Sequence, residues 1–175
     1  MSTDPRPSDA GERAAPLVLR LAVARLDAAD AEDVLRALSG RLLAAGVVTA
    51  EFPDALLDRE RRFPTGLPTP IPTAIPHAEP GHVLSPGLVL ATLRRPLPFG
   101  EMGGSGGTVG VSLVAMPLLT DAREHLRALR RLMGLLRDEA AVDHLLGAED
   151  DSALRERAAA FLDAAPAESA EEAGA

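Results

Sequence analysis

With no cysteine and no lysine in 175 residues, thiolate and Schiff-base chemistry are closed to this chain. That leaves few nucleophiles, histidine among them. The chain has four histidines, and one has an unusual mount. His77 closes the short apolar run Thr73-Ala74-Ile75-Pro76. Pro76 fixes its own φ and biases Ile75 toward extended geometry. The imidazole therefore leaves a stiff backbone, which suits a nucleophile that must be held in line with an incoming group. The alternative is a histidine that merely follows a strand in a Pro-rich loop.

His125 is the second candidate. Asp121-Ala122-Arg123-Glu124 matches a capping box, so His125 falls in the first turn of the helix it opens. Helix N-termini expose unpaired N–H groups and bind phosphate. Their field disfavours imidazolium, so a histidine there can act as a neutral N–H donor. The other reading is a solvent-facing residue beside Leu126. His82 follows Pro80-Gly81 and reads as an exposed turn residue, and His144, beside Leu145-Leu146, reads as structural. No HxxxH or HExxH spacing occurs, so no metal site is expected.

Arg59 and Arg61, in the run Arg59-Glu60-Arg61-Arg62, offer guanidinium forks that fit phosphate oxygens. Charge runs are more usually solvated helix ends. The Gly-rich tract from Gly100 to Gly110 matches a phosphate cradle in composition only. It lacks GxGxxG and GxxxxGK[ST] and reads as a flexible hairpin loop. No GxSxG elbow is present.

The elements that must carry these residues follow from patterning. The length suits one domain, and 46% hydrophobic residues suffice for a core built of Leu, Val, Ala and Ile. A net charge of −8 argues against nucleic acid as a partner. The polar N-terminus has no apolar signal core, and no window nears the ~18 apolar residues of a membrane span. A cytoplasmic protein is expected. Residues 1–15 and 164–175 read as disordered tails around a domain at 16–163. A strand is predicted at Leu17–Leu26. A helix capped by Asp30 carries Val34, Leu35, Leu38, Leu42 and Leu43 and ends at Gly46. A second helix spans Glu51–Arg62. Phe63–Pro72, with its prolines, reads as loop, and Ala74-Ile75 as a brief extended piece. Leu88–Leu93 and Val109–Pro117 read as buried strands. The helix after Asp121 shows Leu126, Leu129, Leu132, Met133 and Leu136 on one face, and helices follow at Glu139–Leu146 and Ser152–Leu162. Strands interleaved with helices predict a single-domain α/β sandwich, with a mixed central sheet flanked by helices on both faces.

Arg59-Glu60, then Phe63-Pro64-Thr65-Gly66-Leu67, then Ala74-Ile75-Pro76-His77, resembles the phosphorylation segment of enzyme IIA domains of the bacterial sugar phosphotransferase system. The class is that of fructose and mannitol, and FPTGL with PHAEPGH resembles its galactitol branch. A strand leading into a helix that begins near a second histidine, VSLVAMPLLTDAREHLRALRRLM, also resembles these domains. The resemblance implies that His77 takes a phosphoryl group from the carrier HPr and passes it to a cysteine of enzyme IIB, with membrane enzyme IIC downstream. It implies roles for His125 and Arg59 in stabilising that group, with Arg59 pointing toward the His77 pocket and Arg61 and Arg62 facing solvent, and binding roles for Thr65, Ile75, Pro76 and Glu79. No cofactor is implied. Alternatives are a regulatory protein of the same fold that signals its phosphorylation state by binding a partner, and a non-enzymatic binding module.

Overall fold

A computed structural model describes residues 17–163, with His125 described at the backbone only. The expected tails lie outside the described residues. Five strands form one mixed sheet in the order β1-β4-β5-β3-β2. They are β1 (Leu19–Leu26), β2 (Gly66–Leu67), β3 (Thr73–Ala74), β4 (Gly87–Gly100) and β5 (Thr108–Leu118). β1 runs parallel to β4 and β3 parallel to β5, while the β4–β5 and β2–β3 pairs are antiparallel.

Gly87–Leu93 of β4 and Leu113–Leu118 of β5 have no exposed face, because both faces are covered. Along β4, Val89 and Ala91 pack to one side and Leu88 and Leu90 to the other; along β5, Val114 and Met116 oppose Leu113 and Ala115. This is the two-residue period of a strand read by two separate cores. The helices α1 (Ala31–Ala44) and α2 (Phe52–Arg62) cover the first side through Val34, Leu35, Leu38, Phe52 and Leu56. On the second side lie α3 (Ala122–Leu136), α4 (Glu139–Leu146) and α5 (Asp151–Asp163), which contribute Leu132, Leu136, Leu145, Leu154 and Phe161. The expected α/β sandwich, with helices on both faces of a mixed sheet, is what the chain forms.

Three details differ from the sequence expectation. Gly66-Leu67, inside the segment read as loop, pairs with Thr73-Ala74 as a two-residue ladder. β4 continues past Leu93 to Gly100 despite Pro96 and Pro98, with a register shift between Thr92 and Leu97 where it slips against β5. Prolines are tolerated where a ladder is irregular or exposed, so they do not end this strand. Leu43 and Leu126 do not join their apolar faces: they are 40% and 56% exposed. The caps of α1, in contrast, form as read. The Asp30 side chain accepts from the Asp33 amide, and Gly46 follows α1 at a φ of +70°, a left-handed conformation that glycine adopts without strain.

Candidate functional site

Parallel pairing of β3 with β5 sets the site. Both strands leave the sheet at the same end, so the segment after β3, ending in His77, and the start of α3 after β5 come together. Ile75 and Pro76 are buried and anchor the segment, and His77 is left half-buried at the surface. The Ile75 carbonyl lies 2.9 Å from Nδ1 of His77. A carbonyl only accepts, so Nδ1 carries the proton in the neutral ring and Nε2 carries the lone pair. Sequence stiffness thus becomes a defined tautomer.

Arg59 stands beside His77. The two residues line a cleft of about 140 Å³ with Ala78, Glu79, Pro80 and Ala122, the first residue of α3. Arg59 Nη1 donates to the Glu79 carboxylate, and its guanidinium carbon lies 5.6 Å from the centre of the Phe63 ring. The Arg59 side chain is 32% exposed, against 62% for Arg61 and 69% for Arg62. Arg61 pairs with Glu32 at 3.0 Å and Arg62 with Asp58 at 3.3 Å. Arg61 lines a cavity with Glu32 and Glu60 that does not include His77. Arg62 does not simply face solvent. Three residues after Arg59 on the same helix face, it lines a second groove on His77, of about 290 Å³, with Arg59, Phe63, Thr65, Met102, Gly103 and Gly104. The tip of the Gly-rich tract, read from sequence as a flexible hairpin loop, is a wall of that groove.

Thr65 is held from behind. Its amide and hydroxyl donate to the Glu60 carboxylate at 2.9 Å each, and its carbonyl accepts from the Ile75 amide at 3.3 Å. Successive helix residues point about 100° apart, so Arg59 reaches the His77 groove while Glu60 turns to the opposite side of Thr65. Burial there pushes the Glu60 carboxyl up to about 7, with the two Thr65 hydrogen bonds opposing. Glu60 is the residue that sequence reasoning passed over. It stands in the Arg59-Glu60 pair, but nothing local announces that its carboxylate turns inward.

His125 lies in the first turn of α3, whose N-cap Asp121 accepts from the Arg123 amide at 2.7 Å. Its side chain lies outside what is described. Ala122 places the start of α3 against the cleft. His82 is half-buried in the turn Pro80–His82, and His144 is exposed on α4.

The description of the phosphoenolpyruvate-dependent sugar phosphotransferase system EIIA 2 family matches residues 19–158. The chain belongs to this family. The galactitol-specific EIIA component of Escherichia coli K12 is 33% identical over 118 residues, covering 67% of this chain and 78% of that protein. Its similarity agrees with the galactitol-like reading of the FPTGL segment. Among solved structures, mannitol IIA from E. coli superposes with a TM-score of 0.62 at 26% identity, over 78% of this chain and 94% of that one. The complex of E. coli mannitol IIA with phosphorylated IIB superposes at 0.64 with 24% identity, over 82% and 99%. As an EIIA protein the chain is a phosphotransferase component of sugar transport. Among the described residues no helix is long and apolar enough to cross a membrane.

Proposed function

We propose that this EIIA protein accepts a phosphoryl group from HPr on Nε2 of His77 and passes it to a cysteine of an enzyme IIB, in the cytoplasm, next to a membrane-bound enzyme IIC. The observation that carries the reading is the bond from the His77 ring to the Ile75 carbonyl, which leaves the nucleophilic lone pair on Nε2. In the first step the donor's phosphorus–nitrogen bond breaks as the bond to Nε2 forms, and the donor ring keeps the electron pair. In the second a thiolate sulfur bonds to phosphorus, and the pair returns to Nε2. Transfer of this kind needs alignment and stabilisation of the equatorial oxygens more than covalent machinery. Arg59 supplies a guanidinium beside the ring, and the first turn of α3 supplies backbone N–H groups and His125. The mannitol IIA that superposes on this chain was solved with a phosphorylated IIB, which supports an acceptor of that class.

The test is incubation with enzyme I, HPr and phosphoenolpyruvate, followed by mass measurement and mapping of the acid-labile phosphate. The native chain gains one phosphate, on His77, and the His77→Ala variant gains none while keeping its melting temperature. Undiminished labelling of that variant overturns the assignment. Discharge of the phosphate on adding IIB separates a transport carrier from a purely regulatory one.

A further inference from the structure

Glu79 is an anion set against the guanidinium that the transferred phosphoryl group requires. It lies two residues after His77 and lines the same cleft with Arg59 and His77. Its backbone is fixed on both sides. Ala78 before it is buried at 6% exposure, and the Glu79 carbonyl accepts from the His82 amide at 3.1 Å across the turn Pro80–His82. The carboxylate is 68% exposed yet bonded to Arg59 Nη1. Arg59 packs against Phe63, and its Nε is buried without a hydrogen-bond partner among the described residues. A guanidinium has five N–H donors in a fixed plane. One of them is held by Glu79 here, and a buried one is unanswered.

We infer that Glu79 is a positioning residue that holds Arg59 over the cleft while His77 is unphosphorylated, and that phosphorylation exchanges the Arg59 fork from the Glu79 carboxylate to the phosphoryl oxygens. The exchange is favourable on both sides. The phosphoryl group carries more negative charge and more acceptor oxygens than a carboxylate, and the released Glu79, already largely exposed, is hydrated at small cost. Glu79 then faces the phosphoryl group as a like charge across a partly solvated cleft. It therefore limits how tightly the phosphate is kept, which suits a carrier that must give its cargo away. The inference rests on phosphorylation of His77.

The experiment measures the equilibrium of phosphoryl exchange between HPr and the full-length protein, for native, Glu79→Gln and Glu79→Asp chains, with the Arg59 Nε–H resonance followed by NMR. Removing the opposing charge is expected to shift the equilibrium toward the phosphorylated chain by about threefold to tenfold, a shift reduced by added salt. Glu79→Asp stays within about twofold of native, because the charge is kept. The Arg59 resonance moves on phosphorylation in native and Gln chains alike. A native chain that takes no phosphate overturns this inference together with the proposed function. A native chain that takes phosphate, with a Gln variant of unchanged equilibrium, a shift in the opposite direction, an Asp variant that moves with the Gln variant, or an Arg59 resonance that phosphorylation leaves in place, overturns this inference alone.

Discussion

A carboxyl that titrates near neutrality stands behind the groove, and it makes the protein's stability depend on pH. Glu60 has a folded-state value of about 7 against an ordinary 4.5, and burial is the cause. Between those two values the folded chain binds a proton that the unfolded chain has released. Stability from this group is therefore full below about 4.5 and is lost as pH rises through about 7. Glu60→Gln removes the slope. Its carbonyl oxygen can still accept from the Thr65 amide, so the variant matches the native chain near pH 4.5 and exceeds it above pH 7, by on the order of 2 kcal/mol after allowance for partial exposure. Urea unfolding from pH 4.5 to 8 reads this directly, and parallel native and variant curves would show that the carboxyl is not shifted. The Glu60–Thr65 bonds also steady the residue whose carbonyl accepts from the Ile75 amide, so Glu60 bears indirectly on His77.

The secondary-structure elements supply orientation, and α3 shows how little holds it. Its apolar face begins in earnest only at Leu132, while Leu126 in the second turn is 56% exposed. The first turn thus relies on the Asp121 cap, whose carboxylate accepts from the Arg123 amide. Asp121→Ala is expected to destabilise the protein by about 1 kcal/mol and to fray the turn that carries His125. Amide exchange should quicken at Arg123 and Glu124 and stay unchanged at Leu132. Phosphate transfer should slow without being abolished, since His77 is mounted on a different element. Normal exchange at the start of α3 in this variant would show that tertiary contacts, rather than the cap, hold the turn.

At the scale of the whole molecule, the groove exists because the loop after α2 and the β4–β5 hairpin approach each other through a glycine. A Cβ on Gly66 would lie 2.6 Å from the Gly100 carbonyl oxygen and 2.7 Å from Val109 Cγ2. The Gly66 carbonyl accepts from the Met102 amide at 2.8 Å, which ties Thr65 to the hairpin tip across the groove. Gly66→Ala must separate these backbones, and a loss of about 2 kcal/mol or more is expected. Because the separation opens the wall formed by Met102, Gly103 and Gly104, phosphate uptake should fall as well. Thermal melting and uptake from HPr test the pair of effects together, and a variant that melts like the native chain would show that the hairpin yields freely.

The amino-acid sequence by itself determined the parts that obey short-range rules. Periodicity placed the helices α1, α4 and α5 nearly to the residue, and side-chain oxygens marked the caps at Asp30 and Asp121. Backbone restriction at Ile75-Pro76 singled out His77, and the spelling of the segment around it indicated the family. Tertiary structure decided what lies across the groove from that histidine. Arg59 and Glu79 meet over twenty residues of chain, and Gly103 and Gly104 reach His77 from a hairpin that sequence reads only as flexible. Glu60 and Arg59 are neighbours in the same charged run, yet one turns to the rear of Thr65 and the other to the site. The physical reason is that strand order and parallel pairing are set by burial of two cores summed over the chain. No window of local sequence carries the direction in which a half-buried side chain will then find its partner.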